Sequence, residues 1–150
     1  MSLRELLLIF HIAGAGVWLG ANVLQAVVPR MAANHGTEAV AGWYRVAARL
    51  GNRVYVPVSI VILITGISLV LQIDAYGFGT RFVTVGLAMI VIGAVLGVVV
   101  FERTSNLAAD AIEAGDEGRV KAAVGRIAGF GALDTVLLLL TIAAMVTRWS

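Results

Sequence analysis

The stretch "FHIAGAGVWLGANVLQ", residues 10–25, carries His11, Trp18, Asn22 and Gln25 among apolar neighbours, and "GALDTVLLLL" carries Asp134. Imidazole is the group here best suited to chemistry: neutral, it ligates haem or a metal, and it titrates near physiological pH. His11 therefore admits two roles, a structural one bonded to a neighbouring helix and one as a haem or metal ligand. Asp134 admits a similar choice, between holding a hydrogen-bonded cluster together and serving a proton or an ion. The chain has no cysteine, which excludes disulfides, thiolate metal sites and redox thiols. Its other histidine, His35, falls near the opposite membrane face, so the two cannot share a metal within one subunit. Met1, Met31, Met89 and Met145 are scattered and give no soft-metal site. No catalytic set emerges, and a formal charge of +2 gives no footprint for nucleic acid.

The elements that must position these groups are membrane spans. Hydrophobic residues make up 60% of the 150 and charged residues only 13%; the mean hydropathy is +0.96. Four apolar runs, about 6–28, 54–73, 82–101 and 127–146, each match the ~20 residues that cross a ~30 Å hydrocarbon core as a helix. The first exceeds the h-region of a cleaved signal, and Arg4 before it is offset by Glu5. The expected architecture is an all-α, four-helix transmembrane bundle in a single domain, in contact with the lipid bilayer. Arg30, Arg45, Arg49 and Arg53 follow span 1, and Arg103, Arg119, Lys121 and Arg126 follow span 3; only Arg4, Arg81 and Arg148 lie on the other face. This asymmetry predicts a cell-membrane protein with both termini non-cytoplasmic.

Between spans 1 and 2, Thr37 can cap a helix that places Val40, Trp43, Tyr44, Ala47 and Leu50 on one side and Arg45, Arg49 and Arg53 on the other. That pattern predicts a short interfacial amphipathic helix over 38–50, with Arg45 and Arg49 near lipid phosphates. The "DAYGFGT" link is too short for a domain. Residues 102–126 read as an extension of span 3, a break at Gly115 to Gly118 and the start of the last helix. No internal repeat stands out.

At 100° per residue, Trp18, Asn22 and Gln25 lie within about 40° of His11. Lipid offers such a stripe no hydrogen-bond partner, so it should face the bundle interior. Glycines 14, 16, 20, 93, 97, 125 and 129 predict close helix contacts. With ~1.5 Å of rise per residue, His11 lies near the outer edge, whereas Asn22 and Asp134 share a level near the inner one. Helices 1 and 4 should therefore be neighbours, with Asn22, helped by Gln25, bonded to Asp134.

His11, Trp18, Gly20, Pro29-Arg30 and His35, followed by "ARLGNRVYVPVSIVILITG", resemble the small four-span membrane proteins around the HemJ and CopD families. The likeness covers most of the first 70 residues. HemJ proteins are protoporphyrinogen oxidases that hold haem through membrane histidines, and CopD proteins are implicated in copper transport; those properties are what the resemblance implies. The third span here has neither the histidine nor the lysine of the HemJ type. The expected function is a non-enzymatic membrane module whose polar stripe is structural or binds a small ligand, working alone, as a homodimer or with a membrane partner. The alternatives are a haem or metal carrier using His11, then a HemJ-like oxidase.

Overall fold

The computed structural model describes residues 1–73 and 75–148, which form four long helices with no strand among the described residues. Helix α1 is Leu3–Ala33, α2 is Thr37–Leu71, α3 is Arg81–Glu113 and α4 is Glu117–Thr147, and all four are long and apolar enough to cross a membrane. Each expected span lies within one of them, except that α2 ends two residues before the expected Ile73. Their starts and stops are local. Ser2 and Glu5 form a capping box at the start of α1, with Ser2 N donating to Glu5 Oε2 at 2.8 Å and Glu5 N donating to Ser2 Oγ at 3.2 Å. Gly36 and Gly115 take positive φ, +96° and +67°, which lets the chain reverse between helices. Asp116 Oδ1 then accepts from Arg119 N at 3.0 Å to cap α4.

At ~1.5 Å per residue, helices of 31–35 residues measure about 46–53 Å, well beyond a ~30 Å hydrocarbon core. The excess lies at the end opposite the chain termini. There the first part of α2 packs against the last part of α3 and the start of α4, around Tyr44, Phe101, Ala108, Ala109, Ala123 and Ile127. This packing gives no support to the expectation of a separate interfacial helix. Residues 38–50 are instead continuous with span 2, and Tyr44, 3% exposed, faces other helices. Arg45 bonds across this extension to Asp110 Oδ1 at 2.6 Å and Glu113 Oε2 at 2.9 Å. Hydrogen bonds to Glu113 and Asp110 hold its pKa above the usual guanidinium value.

Two π-helical turns interrupt the inner helices, Gly51–Tyr55 in α2 and Leu96–Phe101 in α3. Their cause is a spacing of four. Ala47, Gly51, Tyr55 and Ser59 are all buried, as are Gly93, Gly97, Phe101 and Ser105. Three steps of four exceed three α-helical turns by about 1.2 residues. One widened turn absorbs that excess and returns all four side chains to the core face. The turns meet each other: a Cβ at Gly51 would stand 3.1 Å from the Gly97 carbonyl oxygen. The expected close contacts at Gly14 and Gly93 are present, but Gly16, Gly20, Gly125 and Gly129 face open space.

Candidate functional site

The polar stripe of α1 divides into two parts. The deeper part is a closed cluster to which three helices contribute side chains. Asn22 Nδ2 donates to Asp134 Oδ2 at 2.8 Å and to Thr135 Oγ1 at 3.2 Å. Asn22 Oδ1 accepts from the Tyr55 hydroxyl at 2.7 Å, and that hydroxyl accepts from Gln25 Nε2 at 2.7 Å. Trp18 Nε1 donates to the same Asp134 oxygen at 2.9 Å, and its ring stands edge-on to Tyr55 with centroids 5.8 Å apart. The helices 1 and 4 thus meet at the expected level, but Gln25 reaches Asp134 only through Tyr55 and Asn22.

Helix α3 contributes an absence to this cluster. A Cβ at Gly93 would overlap the Trp18 ring and come within 3.6 Å of Asp134 Oδ1. Glycine here makes room for the outer edge of the indole against the α3 backbone. Asp134 is 2% exposed and Trp18 1%. Asp134 Oδ1 has no hydrogen-bond partner among the described residues. No second acid, lysine, arginine or histidine bonds to the cluster among the described residues. Hydrogen bonds inside membranes average about 0.6 kcal/mol and rarely exceed ~2. Their strict donor order contributes register more than stability.

The outer part of the stripe is His11, half-buried on the wall of a cavity of about 340 Å³. Trp18 and Leu138 lie at the floor of this cavity, and Arg4 and Arg148, both exposed, lie at its rim, where the chain termini are. His11 Nδ1 lies 3.1 Å from the Ile62 carbonyl oxygen and 3.0 Å from Thr65 Oγ1. A carbonyl only accepts, and the Thr65 hydroxyl donates to Val61 O at 2.6 Å, so both contacts require a proton on Nδ1. Neutral His11 then carries a bare Nε2, which has no partner among the described residues. Gly66 makes room for the ring, since a Cβ there would stand 3.0 Å from His11 Cε1.

That arrangement is competent to accept a hydrogen bond or to donate an electron pair to a metal, because a ligating imidazole is normally held through its other N–H by a carbonyl. Among the described residues no group of three or more His, Cys, Asp or Glu side chains could hold a metal ion. His11 lies in the second half-dozen residues of α1, whereas His35 lies in the turn that follows the other end of that helix. Sequence reasoning missed Tyr55, Thr65 and Thr135, marked Gly93 as a close contact without its partner Trp18, and did not connect Arg4 and Arg148 to His11. The repeated spacing Gly51, Tyr55, Ser59 and Gly97, Phe101, Ser105 was a usable signal for the inward faces of α2 and α3. Comparison with protein-family models, with curated proteins and with solved structures gives no match.

Proposed function

We propose that the protein is a non-enzymatic membrane module that binds a small, largely apolar ligand in the cavity lined by His11. One observation carries this reading: His11 is oriented by Ile62 and Thr65 so that its unprotonated nitrogen is left for something other than the protein. The cavity falls within the size range of ligand pockets, and its wall is mostly aliphatic and aromatic, as such pockets are. The ligand supplies a donor to Nε2 and buries the rest of its surface against α1, α2, α3 and α4. The Asp134 cluster closes the floor and fixes the helix register around it. The basic asymmetry of the loops supports a cell-membrane location with the termini, and hence the cavity mouth, on the non-cytoplasmic side.

The test is chemical extraction. Protein purified in mild detergent is expected to carry a co-purifying small molecule, seen by mass spectrometry, that is depleted in Ala15→Phe, because Ala15 lines the cavity. Identical extracts from the two proteins would refute the reading.

A second reading is favoured by the same imidazole geometry. Nδ1–H fixed on a carbonyl, an apolar wall and cationic groups at the rim suit haem, which would supply redox or gas-binding chemistry when held by Nε2. With His11 as the one histidine at the site in each chain, the site would be five-coordinate, or completed by a second copy. A Soret band that disappears in His11→Ala supports it; no band even after haem addition removes it. The resemblance to the HemJ and CopD families is in keeping with either reading, and the third span without histidine or lysine favours binding over oxidase activity.

A further inference from the structure

We infer that the ligand is an anionic amphiphile with a single apolar chain, its carboxylate at the rim and its chain running down to Trp18. The inference rests on the cavity being a ligand site, as proposed above, and adds the ligand's charge and shape. Arg4, in the first turn of α1, and Arg148, at the end of α4, both line this cavity although they belong to opposite ends of the chain. Guanidinium groups match carboxylates in geometry as well as charge. Glu5, the acid nearest Arg4 in sequence, is occupied in the helix cap through its Oε2.

Depth gives the second half of the argument. Arg4 to Trp18 spans fourteen residues of α1 and Leu138 to Arg148 ten of α4, so the cavity is about 15–21 Å deep. Half of a ~30 Å hydrocarbon core is ~15 Å, which is one leaflet's worth of acyl chain. His11 lies seven residues from both Arg4 and Trp18, about 10 Å below the rim. A donor half-way down the chain would meet Nε2 there. The chemistry specified is a charged head, an apolar chain and a mid-chain hydroxyl.

10-Hydroxyoctadecanoate, a long-chain carboxylate with a mid-chain hydroxyl, is the probe, and octadecane-1,10-diol is its neutral counterpart. Binding is read from Trp18 emission in full-length protein carrying Trp43→Phe and Trp149→Phe, at a pH well above the carboxylate range. The acid is expected to bind about tenfold more tightly than the alcohol, a difference that Arg4→Gln with Arg148→Gln reduces to less than about twofold. The double variant's undiminished affinity for the alcohol shows that it remains folded. Equal binding of acid and alcohol to the unsubstituted protein would overturn the anionic head while leaving the cavity reading intact. A preference for the acid that survives removal of both arginines would also overturn it. Failure of both probes to bind would remove the cavity reading itself, and this inference with it.

Discussion

Asn22 uses every hydrogen-bonding atom of its side chain within the bundle: two N–H bonds donated to Asp134 and Thr135 and one accepted from Tyr55. Removing it leaves Asp134 Oδ2 with Trp18 as its remaining donor. A double-mutant cycle over Asn22→Ala and Asp134→Ala is therefore expected to give a coupling of about 0.6–2 kcal/mol in detergent unfolding. Tyr55→Phe removes the hydroxyl that links Gln25 to Asn22 and is expected to cost about 0.6–2 kcal/mol, the range of hydrogen bonds inside a membrane. A stability equal to that of the unsubstituted protein would show that the donor order contributes nothing. The Asn22 and Asp134 pairing was legible because depth in a membrane helix is nearly a linear function of residue number. Tyr55 was not, since a tyrosine near a span end reads equally as part of an interfacial aromatic belt. The bond from Trp18 was hidden for the same reason, because an indole N–H has no sequence signature for its partner.

Helix packing was legible where a small residue has a neighbour and illegible where it has none. Gly14 and Gly93 admit Ile62 and Trp18, whereas Gly16 and Gly20, on the same helix as Gly14, meet nothing within 4 Å. Composition alone cannot separate the two cases. Gly51→Val is expected to destabilise the bundle by about 1–3 kcal/mol, because a β-carbon at that crossing presses on a backbone carbonyl that has no rotamer to move. Gly16→Ala, facing open space, is expected to be neutral or slightly stabilising. Thermal unfolding in detergent distinguishes them, and equal midpoints for the two variants would contradict the crossing. The packing of residues 38–50 on other helices was not legible for a physical reason. Val40, Trp43, Tyr44 and Ala47 opposite arginines give the same pattern whether the apolar face lies on lipid or on a second helix. The alanine-rich face of "NLAADAI", which includes Ala108, Ala109 and Ala111, was the partner that settles it.

On the scale of the whole molecule, four helices longer than a membrane is thick give one end that projects and one that carries the termini and the cavity. A cysteine at Gly77, exposed in the link between α2 and α3, is expected to react with an impermeant maleimide added outside intact cells, and one at Glu117 is expected to react only after lysis. The reverse labelling would invert the bundle and place the cavity mouth inside. The count of the helices followed from hydropathy, because each apolar run is long enough to cross a bilayer, whereas their full length did not, because the extensions beyond the core are polar on one face. The cavity did not, because it exists only where α1 to α4 leave space between them, and no single helix encodes that space. Its meaning depends on one atom. The most direct test is the ¹⁵N resonance pair of the His11 imidazole in protein carrying His35→Gln and reconstituted in bilayers. A protonated Nδ1 and an unprotonated Nε2, with Nε2 alone shifting when a cavity ligand is added, is the predicted result. A protonated Nε2, or a ligand that leaves both resonances unmoved, would contradict the account.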